Sequence, residues 1–359
     1  MTQVVRRCVH VFATFGAGGP QIRALQLMAH MGPGFAHVVM AMDGRTEAGQ
    51  QMPPGVQWEL APPPPRGGLL ATVRAQRRWL RAQRPDLVLT YNWGAIESVL
   101  AARSLQLPLV HHEDGFLPDE AQRRLARRSW MRWFALRSVP VIVPSLVLQR
   151  IATAEWGLAP ARVHHLPNGV DLARFRPGAV VPGPVLGTVG GMRPEKDHAT
   201  LLAALAQLPA EVRAVVVGGG ALLEPMRALA RQLGVHDRVE FLGPVADTAP
   251  CYHRFAVFVL SSRTEQMPIA LLEAMASALP VVATDVGDVR AILPAGAADC
   301  IVPRENPTAL AQALQRVLAD QPRQKLLGAE NRVVTEQRYA AAPCLDRFVR
   351  VYTATVVLR

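Results

Sequence analysis

The chain of 359 residues is poor in lysine, in aromatic residues and in cysteine. Its four cysteines are scattered and include no C-x-x-C pair, which argues against a disulfide framework and against a zinc site. No stretch reaches about 18 consecutive apolar residues, so the sequence excludes a membrane-spanning helix. The first residues have the pattern of a strand and lack a signal-peptide cleavage pattern, and we therefore expect a cytoplasmic protein.

Length and composition predict two folded α/β domains. At roughly 150 residues per domain the chain is long enough for two, and 50% hydrophobic with 19% charged residues excludes a disordered chain. Short apolar runs alternate with amphipathic helical patterns along both halves, which indicates parallel sheets covered by helices on both faces. We predict the fold class α/β, with two doubly wound Rossmann-like domains facing a cleft. Glycine, proline and arginine cluster at the join, near residues 168–184.

The positive charge is concentrated in the first half of the chain. Residues 1–180 carry 21 arginines and 11 acidic residues, whereas residues 181–359 carry 18 basic and 17 acidic residues. The densest run, from Arg123 to Arg137, intersperses six arginines with Trp130, Trp133 and Phe134. Two interpretations stay open: a helix lying on an anionic membrane surface, and a surface helix whose tryptophans pack into the core. No zinc-finger or aromatic RNA-binding signature is present, so we expect no nucleic-acid partner.

Two carboxylates in the segment SRTEQMPIALLE form the most specific pattern. Glu265 and Glu273 lie eight residues apart, and Pro268 fits the first turn of a helix because its missing amide hydrogen is not needed there. The helix start, from Met267 to Ile269, has free amides and the positive dipole end that suit a diphosphate. Glu273 then suits the hydroxyls of a ribose and Glu265 those of a sugar. The alternative is a capped helix with two solvated acids.

A second segment, VGGMRPEKD, follows a predicted strand and holds two cations, Arg193 and Lys196. The turn at Gly191 lets a ligand approach the backbone, so that both cations can point at a diphosphate. Only two of the 39 basic residues are lysines, Lys196 and Lys325. Where arginine is the usual cation, a lysine in this loop indicates a need for a compact charge.

Two further loops carry candidate residues in the first half. The turn FGAGGPQ brings Gly18 and Gly19 to the start of the first predicted helix, where they fit a phosphate or make room for a substrate. The loop HHEDGF packs two imidazoles and two carboxylates at the end of another strand. His112, Glu113 or Asp114 can hydrogen-bond sugar hydroxyls or serve acid–base chemistry. The alternative is a structural His–Asp network, and four adjacent residues cannot all converge on one metal ion.

Five motifs follow one another along the chain: the glycine-rich first turn, NGVD, RPEKD, FLG and SSRTEQMPIALLEAMASALPVVATDVG. In this order they resemble the GT-B-fold retaining glycosyltransferases of family 4. The resemblance covers nearly the whole chain, and its specific parts are the segment from Glu265 to Glu273 and the Arg193–Lys196 pair. It implies an acceptor-binding domain at residues 1–170, a nucleotide-sugar-binding domain at residues 171–338 and a last helix, residues 339–359, that crosses back to the first domain.

The resemblance also implies residue roles. Arg193 and Lys196 neutralise the donor diphosphate, Glu273 contacts the ribose and Glu265 contacts the donor sugar. The backbone near Leu242 and Val245 holds the base. Gly18 and Gly19 lie against the diphosphate or the acceptor. Many members have a histidine near the transferred sugar, and depending on register that place falls here to His112 or Asp114.

The resemblance implies a reaction with retention of anomeric configuration. Breaking the sugar–phosphate bond adds negative charge to the leaving nucleotide, which Arg193, Lys196 and the helix start would stabilise. Because no Asp-x-Asp motif occurs, we expect these groups to replace a divalent ion. We expect no cofactor besides the nucleotide-diphospho-sugar donor substrate. A cell-envelope glycan or lipid-linked acceptor is typical of the family.

Three alternatives to a glycosyltransferase stay open. An NAD(P)-dependent oxidoreductase needs G-x-G-x-x-G after the first strand, and GAGGPQ lacks the third glycine. A sugar-nucleotide epimerase or a phosphorylase is a second, although Lys325 is poorly placed for the Schiff base of a cofactor-dependent phosphorylase. A donor-binding protein without turnover is the third, and the retained glutamates and cations argue against it.

Overall fold

A computed structural model of the chain describes residues 5–16, 18–115, 125–179 and 183–357. The chain divides into two compact units. The first unit comprises Met1–Asn168 with Ala342–Arg359, and the second comprises Gly169–Ala341. Each unit contains one parallel sheet with helices packed on it. The predicted α/β class with two doubly wound, Rossmann-like sheets is confirmed.

The sheet of the first unit has seven described strands in the order β3-β2-β1-β4-β5-β6-β7. The strands are β1 Arg6–Phe12, β2 Phe35–Ala41, β3 Gln57–Ala61, β4 Leu87–Tyr91, β5 Leu109–His112, β6 Val141–Val143 and β7 Val163–His165. The helices between them are α1 Gly19–Met31, α2 Leu69–Gln83, α3 Ile96–Ser104, α4 Ala126–Leu136 and α5 Leu146–Ala154. The strand order reverses between β1 and β4, and such a reversal opens a crevice at the carboxyl ends of the strands.

The sheet of the second unit has the order β10-β9-β8-β11-β12-β13. Its strands are β8 Val185–Val189, β9 Arg213–Val217, β10 Val239–Gly243, β11 Val257–Leu260, β12 Val281–Thr284 and β13 Ile301–Val302. Its helices are α6 His198–Leu205, α7 Leu223–Gln232, α8 Ala249–Tyr252, α9 Ile269–Ala276, α10 Val289–Ile292, α11 Pro307–Ala319 and α12 Gln321–Arg338. The order reverses between β8 and β11, so the loops that follow these two strands lie side by side at one edge.

The last helix, α13 Ala341–Val357, packs within the first unit. Its Tyr352 hydroxyl is hydrogen-bonded to His112 Nε2 at 2.9 Å, and its Asp346 is 2.7 Å from His30 Nε2. Phe348 stacks on His112 with ring centroids 5.9 Å apart. The chain therefore returns to its first unit only at its very end.

Strand burial explains which strands the sequence pattern predicted and which it missed. The central strands β4, β11 and β12 are buried along their whole length, and their apolar runs are typical of parallel strands covered on both faces. The sequence pattern predicts neither of the outermost strands, because β3 is largely exposed and β7 has a single apolar residue followed by two histidines. Sequence patterns carry little signal for strands without an apolar run.

The predicted strand at Leu107–His112 and the predicted helix start at Ile269 are confirmed, because β5 ends at His112 and α9 begins at Ile269. In the segment HHEDGF the loop therefore starts only after His112. Pro268 has an extended backbone (φ −69°, ψ 118°), so it lies just before the first turn of α9 and not in it. The arginine-rich helix begins at Ala126, and residues 116–124, including Arg123 and Arg124, lie outside the described residues. No helix in the described part of the chain is long and apolar enough to cross a bilayer.

Candidate functional site

The site in the second unit is built from the loops that follow β8 and β11. Lys196, from the first loop, donates a hydrogen bond from Nζ to Oε1 of Glu265 in the second. The same Glu265 oxygen accepts a hydrogen bond from Ser262 Oγ at 2.8 Å, and Ser261 Oγ donates to the Lys196 carbonyl at 3.1 Å. The Lys196 and Glu265 side chains retain 17% and 12% of their exposure. Two predicted site residues that are 69 positions apart are thus brought into contact.

The loop that carries Lys196 is fixed by Asp197 and Arg263. Asp197 has a left-handed backbone (φ 46°), which is uncommon for a residue with a side chain and marks stored strain. Its buried carboxylate accepts a hydrogen bond from Thr200 Oγ1 at 2.7 Å and lies 3.3 Å from Arg263 Nε. The Arg263 amide donates to the Glu195 carbonyl at 2.8 Å. No sequence pattern indicates that Asp197 fixes this loop, and none indicates a role for Arg263.

Glycines allow the backbones around the site to approach one another. A Cβ atom on Gly218 would lie 1.9 Å from the Gly190 carbonyl oxygen, so the Gly218–Gly220 run packs directly on the turn after β8. A Cβ atom on Gly287 (φ 52°) would lie 2.5 Å from the Glu265 carbonyl oxygen. Close approach of this kind excludes any other residue at both positions without movement of the backbone. Gly191 and Arg193 follow on the same turn, where Arg193 is exposed.

Glu273 is the fifth residue of α9, and its carboxylate is bound by a tyrosine. The Tyr252 hydroxyl donates to Glu273 Oε2 at 2.5 Å. Burial raises the pKa of Glu273, and the hydrogen bond from Tyr252 opposes that rise. Burial also raises the pKa of Tyr252, which keeps its hydroxyl protonated as a donor. Tyr252 lies in the short helix α8, where no sequence motif pointed to it.

The start of α9 and the end of β10 complete the predicted donor-binding set. Pro268, the residue before α9, offers no side-chain cap to the first amides of the helix, which carry the positive end of the helix dipole. Met267 is buried just before this start. Leu242 and Val245 lie at the end of β10, partly buried against the core. The Gly218 amide donates to the Gly243 carbonyl at 2.9 Å, which ties that end to the glycine run.

In the first unit, the glycine turn after β1 is closed by a glutamine. Gly18 precedes α1 with an extended backbone, and Gly19 is the first residue of the helix. A Cβ atom on Gly18 would lie 2.8 Å from Gln21 Oε1. Gln21 Nε2 donates to the Thr14 carbonyl at 2.9 Å. Gly18 and Gly19 therefore lie at a helix start, as the sequence pattern predicts. Their contact with a diphosphate or an acceptor stays a prediction.

His112 and Asp114 lie inside a buried polar network. His112 is fully buried between Tyr91 and the α13 residues Phe348 and Tyr352. Burial lowers the pKa of His112 well below its usual value, so the imidazole is neutral.

The carboxylate of Asp114 is also engaged. It lies 2.7 Å from Arg23 Nη1, with both side chains almost completely buried. Arg23 Nη1 also donates to Asn168 Oδ1 at 3.0 Å, which binds the network to the NGVD motif. The side chains of His112 and Asp114 are thus both buried and bound by other side chains, His112 by Tyr352 and Asp114 by Arg23. Their contact with a transferred sugar stays a prediction.

Glu113, the third candidate of the HHEDGF loop, forms a buried ion pair. Its Oε2 lies 3.2 Å from Arg132 Nε, and both side chains have no exposure. Among the described residues, no group of three or more histidine, cysteine, aspartate or glutamate side chains is arranged to hold a metal ion. The described site in the second unit brings together a cation, carboxylates and a helix start.

Two family models match the chain. The model described as Glycosyltransferase Family 4 matches residues 17–174, and the one described as Glycosyl transferases group 1 matches residues 183–320. A GDP-mannose-dependent alpha-(1-6)-phosphatidylinositol monomannoside mannosyltransferase of Mycobacterium tuberculosis is 31% identical over 288 residues, covering 74% of this chain and 72% of the relative. The chain belongs to glycosyltransferase family 4. A D-inositol 3-phosphate glycosyltransferase of Kineococcus radiotolerans is 30% identical to this family 4 chain, covering 72% of it and 64% of the relative.

Solved structures show the fold of this family 4 glycosyltransferase. The crystal structure of Anabaena Alr3699/HepE in complex with UDP-glucose has a TM-score of 0.85 at 18% identity and covers 97% of this chain and 99% of that one. Sucrose-phosphate synthase from Thermosynechococcus elongatus has a TM-score of 0.78 at 22% identity, covering 99% and 100%. The predicted GT-B class is confirmed, and the family gives no support to the oxidoreductase alternative.

Proposed function

We propose that this chain is a retaining, metal-independent glycosyltransferase that uses a nucleotide-diphospho-sugar donor and a glycan or lipid-linked acceptor of the cell envelope. The observation that carries the proposal is the contact of Lys196 with Glu265 beside the uncapped start of α9. It places a cation, a carboxylate and free helix amides together, and these are the groups that a sugar diphosphate needs. Glu273, four positions into the same helix from its first residue, adds a second carboxylate on the same element.

Charge development at the leaving group explains how these residues would act. The bond between the sugar C1 and the diphosphate oxygen breaks, and negative charge grows on the leaving nucleotide. Lys196, Arg193 and the amides at the start of α9 would stabilise that charge, as preorganised donors do most strongly in a site that excludes water. Their number and charge support a reaction that needs no divalent ion.

Retention requires the acceptor to attack the face that the leaving group vacates. The acceptor oxygen forms the new bond to C1, and its proton passes to the departing phosphate oxygen, so that atoms and charge balance. Glu265 is already bound to Lys196 and Ser262, which suits it to orient the donor sugar rather than to attack it. In the first unit, His112 is hydrogen-bonded to Tyr352 and Asp114 to Arg23, which suits both to a positioning role in the half of the chain that would bind the acceptor.

The relatives indicate what the two substrates would be. One relative is named as GDP-mannose-dependent and as acting on a phosphatidylinositol monomannoside, and others are named D-inositol 3-phosphate glycosyltransferases. A fold relative was solved with UDP-glucose. These names support a nucleotide-sugar donor and an acceptor from the cell envelope. They give two different donor bases, so the base is an outcome of the test below.

Paired substitutions test the donor site. Lys196→Ala and Glu273→Ala should abolish sugar transfer while the protein stays folded, because each removes a charge that the donor contacts. Lys325→Ala is the matched control, since Lys325 is the other lysine of the chain and is exposed on α12. Nucleotide binding is measured by thermal shift with UDP-, GDP- and ADP-sugars, and a donor at about 100 times its dissociation constant should stabilise by about 2.7 kcal/mol. Wild-type turnover in either variant refutes the assignment.

We propose further that α4 contacts an anionic membrane surface from the cytoplasmic side. Trp130, Trp133 and Phe134 are 59%, 37% and 37% exposed, and the rings of Trp130 and Phe134 stack with centroids 5.7 Å apart. Arg127 is exposed beside them, and Arg137 lies 4.8 Å from the Trp133 ring centroid. Exposed aromatic residues with flanking cations are typical of helices that lie in the membrane interface. Arg132 does not belong to this face, because it is buried against Glu113.

Vesicle co-sedimentation tests the membrane contact. A variant with Trp130→Ala, Arg127→Gln and Arg137→Gln should lose binding to phosphatidylglycerol vesicles, and wild-type binding should weaken as salt is added. A control variant with Arg77→Gln and Arg78→Gln removes the same charge from exposed positions of α2. Vesicle binding that does not depend on anionic lipid or on salt would contradict the membrane proposal. An equal loss of binding in both variants would contradict it as well. Neither result bears on the donor site.

A further inference from the structure

A depression of about 550 Å³ lies at the outer edge of the first sheet, next to the glycine turn that precedes α1. It is lined by the loop that follows β2 and by one face of β3. Six of its residues matter to the argument: Arg45, Glu47, Gly49, Gln50, Trp58 and Leu60. All of them lie in the first unit, the half of the chain that we propose binds the acceptor.

The loop that lines the depression is fixed to the end of β1. The Phe15 amide donates to the Arg45 carbonyl at 3.1 Å, and the Ala48 amide donates to the Phe15 carbonyl at 3.0 Å. The Met42 amide also donates to the carbonyl of Phe12, the last residue of β1, at 2.8 Å. Ala48 is completely buried. The wall is therefore preformed, as is usual for small-molecule sites, and it is continuous with the glycine turn that leads to α1.

The indole of Trp58 forms the aromatic part of the depression. A Cβ atom on Gly49 would lie 2.8 Å from Trp58 Cη2, so the ring rests against the glycine backbone and no larger residue fits there. Trp58 is half-buried and Leu60, two positions along β3 on the same face, is 46% exposed. A solvent-accessible indole at the edge of a sheet offers a flat apolar face, and the C–H face of a pyranose ring packs on such a surface.

Planar polar groups stand beside the indole. Arg45 Nε lies 3.1 Å from Glu47 Oε1, with 63% and 51% of the two side chains exposed. A Cβ atom on Gly16 would lie 3.2 Å from Arg45 Nη2, which puts the guanidinium next to the glycine turn. Gln50 adds an amide. Paired donors and acceptors suit the vicinal hydroxyls of a sugar, and the balanced charge of Arg45 and Glu47 favours a neutral ring over a phosphate.

We propose that this depression is a sugar subsite for a glycan acceptor, which holds a ring of the acceptor remote from the hydroxyl that receives the transferred sugar. The inference rests on the proposed glycosyltransferase function and names the acceptor class as an oligosaccharide. Trp58 stacks on the ring, and Arg45, Glu47 and Gln50 bind its hydroxyls. Binding energy from this remote ring would help to position the reacting hydroxyl.

Calorimetric titration of the full chain with mono-, di- and trisaccharides of glucose, mannose, galactose and N-acetylglucosamine tests the subsite. At least one oligosaccharide should bind, and Trp58→Leu should weaken that binding by roughly tenfold, because leucine keeps apolar volume but not the aromatic face. Trp58→Phe should recover most of the affinity. Gln57→Ala, an exposed neighbour on the other face of β3, is the matched control.

Nucleotide binding measured on the same samples separates the two proposals. Unchanged UDP or GDP binding in Trp58→Leu, with weakened oligosaccharide binding, supports the subsite. If Trp58→Leu and the wild type bind the oligosaccharide with equal affinity and both still bind nucleotide, the subsite is overturned. The proposed donor site is not affected by that result. Failure of every oligosaccharide to bind overturns the glycan class. Failure of both UDP and GDP to bind the wild type counts against the proposed function itself.

Discussion

At the scale of single residues, two effects shift the pKa of Glu273 in opposite directions. Burial raises its pKa, and the hydroxyl of Tyr252, 2.5 Å from Oε2, lowers it. Tyr252 therefore orients the Glu273 carboxylate and opposes the rise in its pKa, and neither effect is visible in the sequence. An ionised carboxylate is the stronger acceptor for the ribose hydroxyls that we propose it binds.

Tyr252→Phe should move the acid limb of nucleotide binding to higher pH. Removing the hydroxyl leaves burial alone to act, so the pKa of Glu273 rises further and the carboxylate protonates earlier as the pH falls. The dissociation constant of the nucleoside diphosphate is measured by calorimetry between about pH 8 and about pH 5. Glu273→Gln, which cannot ionise, should bind weakly without this pH dependence. Coincident profiles for Tyr252→Phe and wild type contradict the account.

Gly287→Ala should reduce turnover strongly, because the new Cβ atom would lie 2.5 Å from the Glu265 carbonyl oxygen at a left-handed φ. The backbone that carries Glu265 has to move, and a displacement of about 1 Å in a reacting group costs on the order of a hundredfold in rate. Gly296→Ala is the control, since its nearest neighbour is the end of the Glu330 side chain, which can turn away. Similar rates for both variants would count against tight packing at Gly287.

At the scale of elements, α9 is held by the helix that packs behind it. Arg332 on α12 donates from Nη1 to the carbonyls of Ala276 at 2.6 Å and Phe175 at 2.9 Å, and Asn331 Nδ2 donates to the Leu279 carbonyl at 2.8 Å. The bond to Ala276 satisfies a carbonyl at the end of α9 that the helix cannot pair itself, and the bond to Leu279 holds the segment that follows the helix. The helix that presents Glu273 is thereby fixed at its far end.

Gly328→Ala should destabilise the second unit although alanine is the better helix former. A Cβ atom on Gly328 would lie 2.1 Å from the Ala278 carbonyl oxygen, so α12 must move away from α9. Helix propensity alone would stabilise by about 1 kcal/mol, and overpacking costs about 1–3 kcal/mol. Ala329→Gly, at the exposed neighbouring position, measures the propensity effect alone. Stabilisation of Gly328→Ala in urea denaturation would disprove the close contact.

At the scale of the whole chain, buried histidines make the first unit sensitive to acid. Burial lowers the pKa of His37 to about 4 and holds the pKa values of His10 and His112 well below the usual range. His10 lies 3.0 Å from His37 Nδ1 and from the Tyr91 hydroxyl, and His112 is bonded to Tyr352 of the last helix. All three imidazoles are therefore neutral in the folded unit. In the unfolded chain they take up protons as the pH falls through about 6.5.

The first unit should therefore lose stability as the pH falls below about 6.5, where the unfolded chain takes up protons that the folded unit cannot. Each histidine contributes about 1.4 kcal/mol per pH unit until the pH reaches its folded pKa. Hydrogen exchange at several pH values measures the slope. His37→Phe should flatten it, and His236→Gln, at an exposed position, should not. An unchanged slope in His37→Phe would show that His37 is not the group responsible.

The fold class could be predicted because it depends on local periodicity. Apolar runs as short as those of β4 and β11 are buried on both faces, and their alternation with amphipathic helices specifies a doubly wound sheet. The strand β3 could not be predicted from the sequence, because most of its residues are exposed and they form no continuous apolar run. The location of Trp58 on that strand, and with it the proposed sugar subsite, could not be anticipated for the same reason.

The sequence by itself determined the two-sheet α/β architecture, the family and the positions of Glu265 and Glu273 on either side of one helix start. Only the tertiary structure decided that Lys196 contacts Glu265, that Tyr252 binds Glu273 and that His112 is buried beneath the last helix. The physical reason is the range of the interactions. Periodicity and helix starts are set within a few residues, whereas hydrogen-bond partners and burial arise between segments that are far apart in the chain.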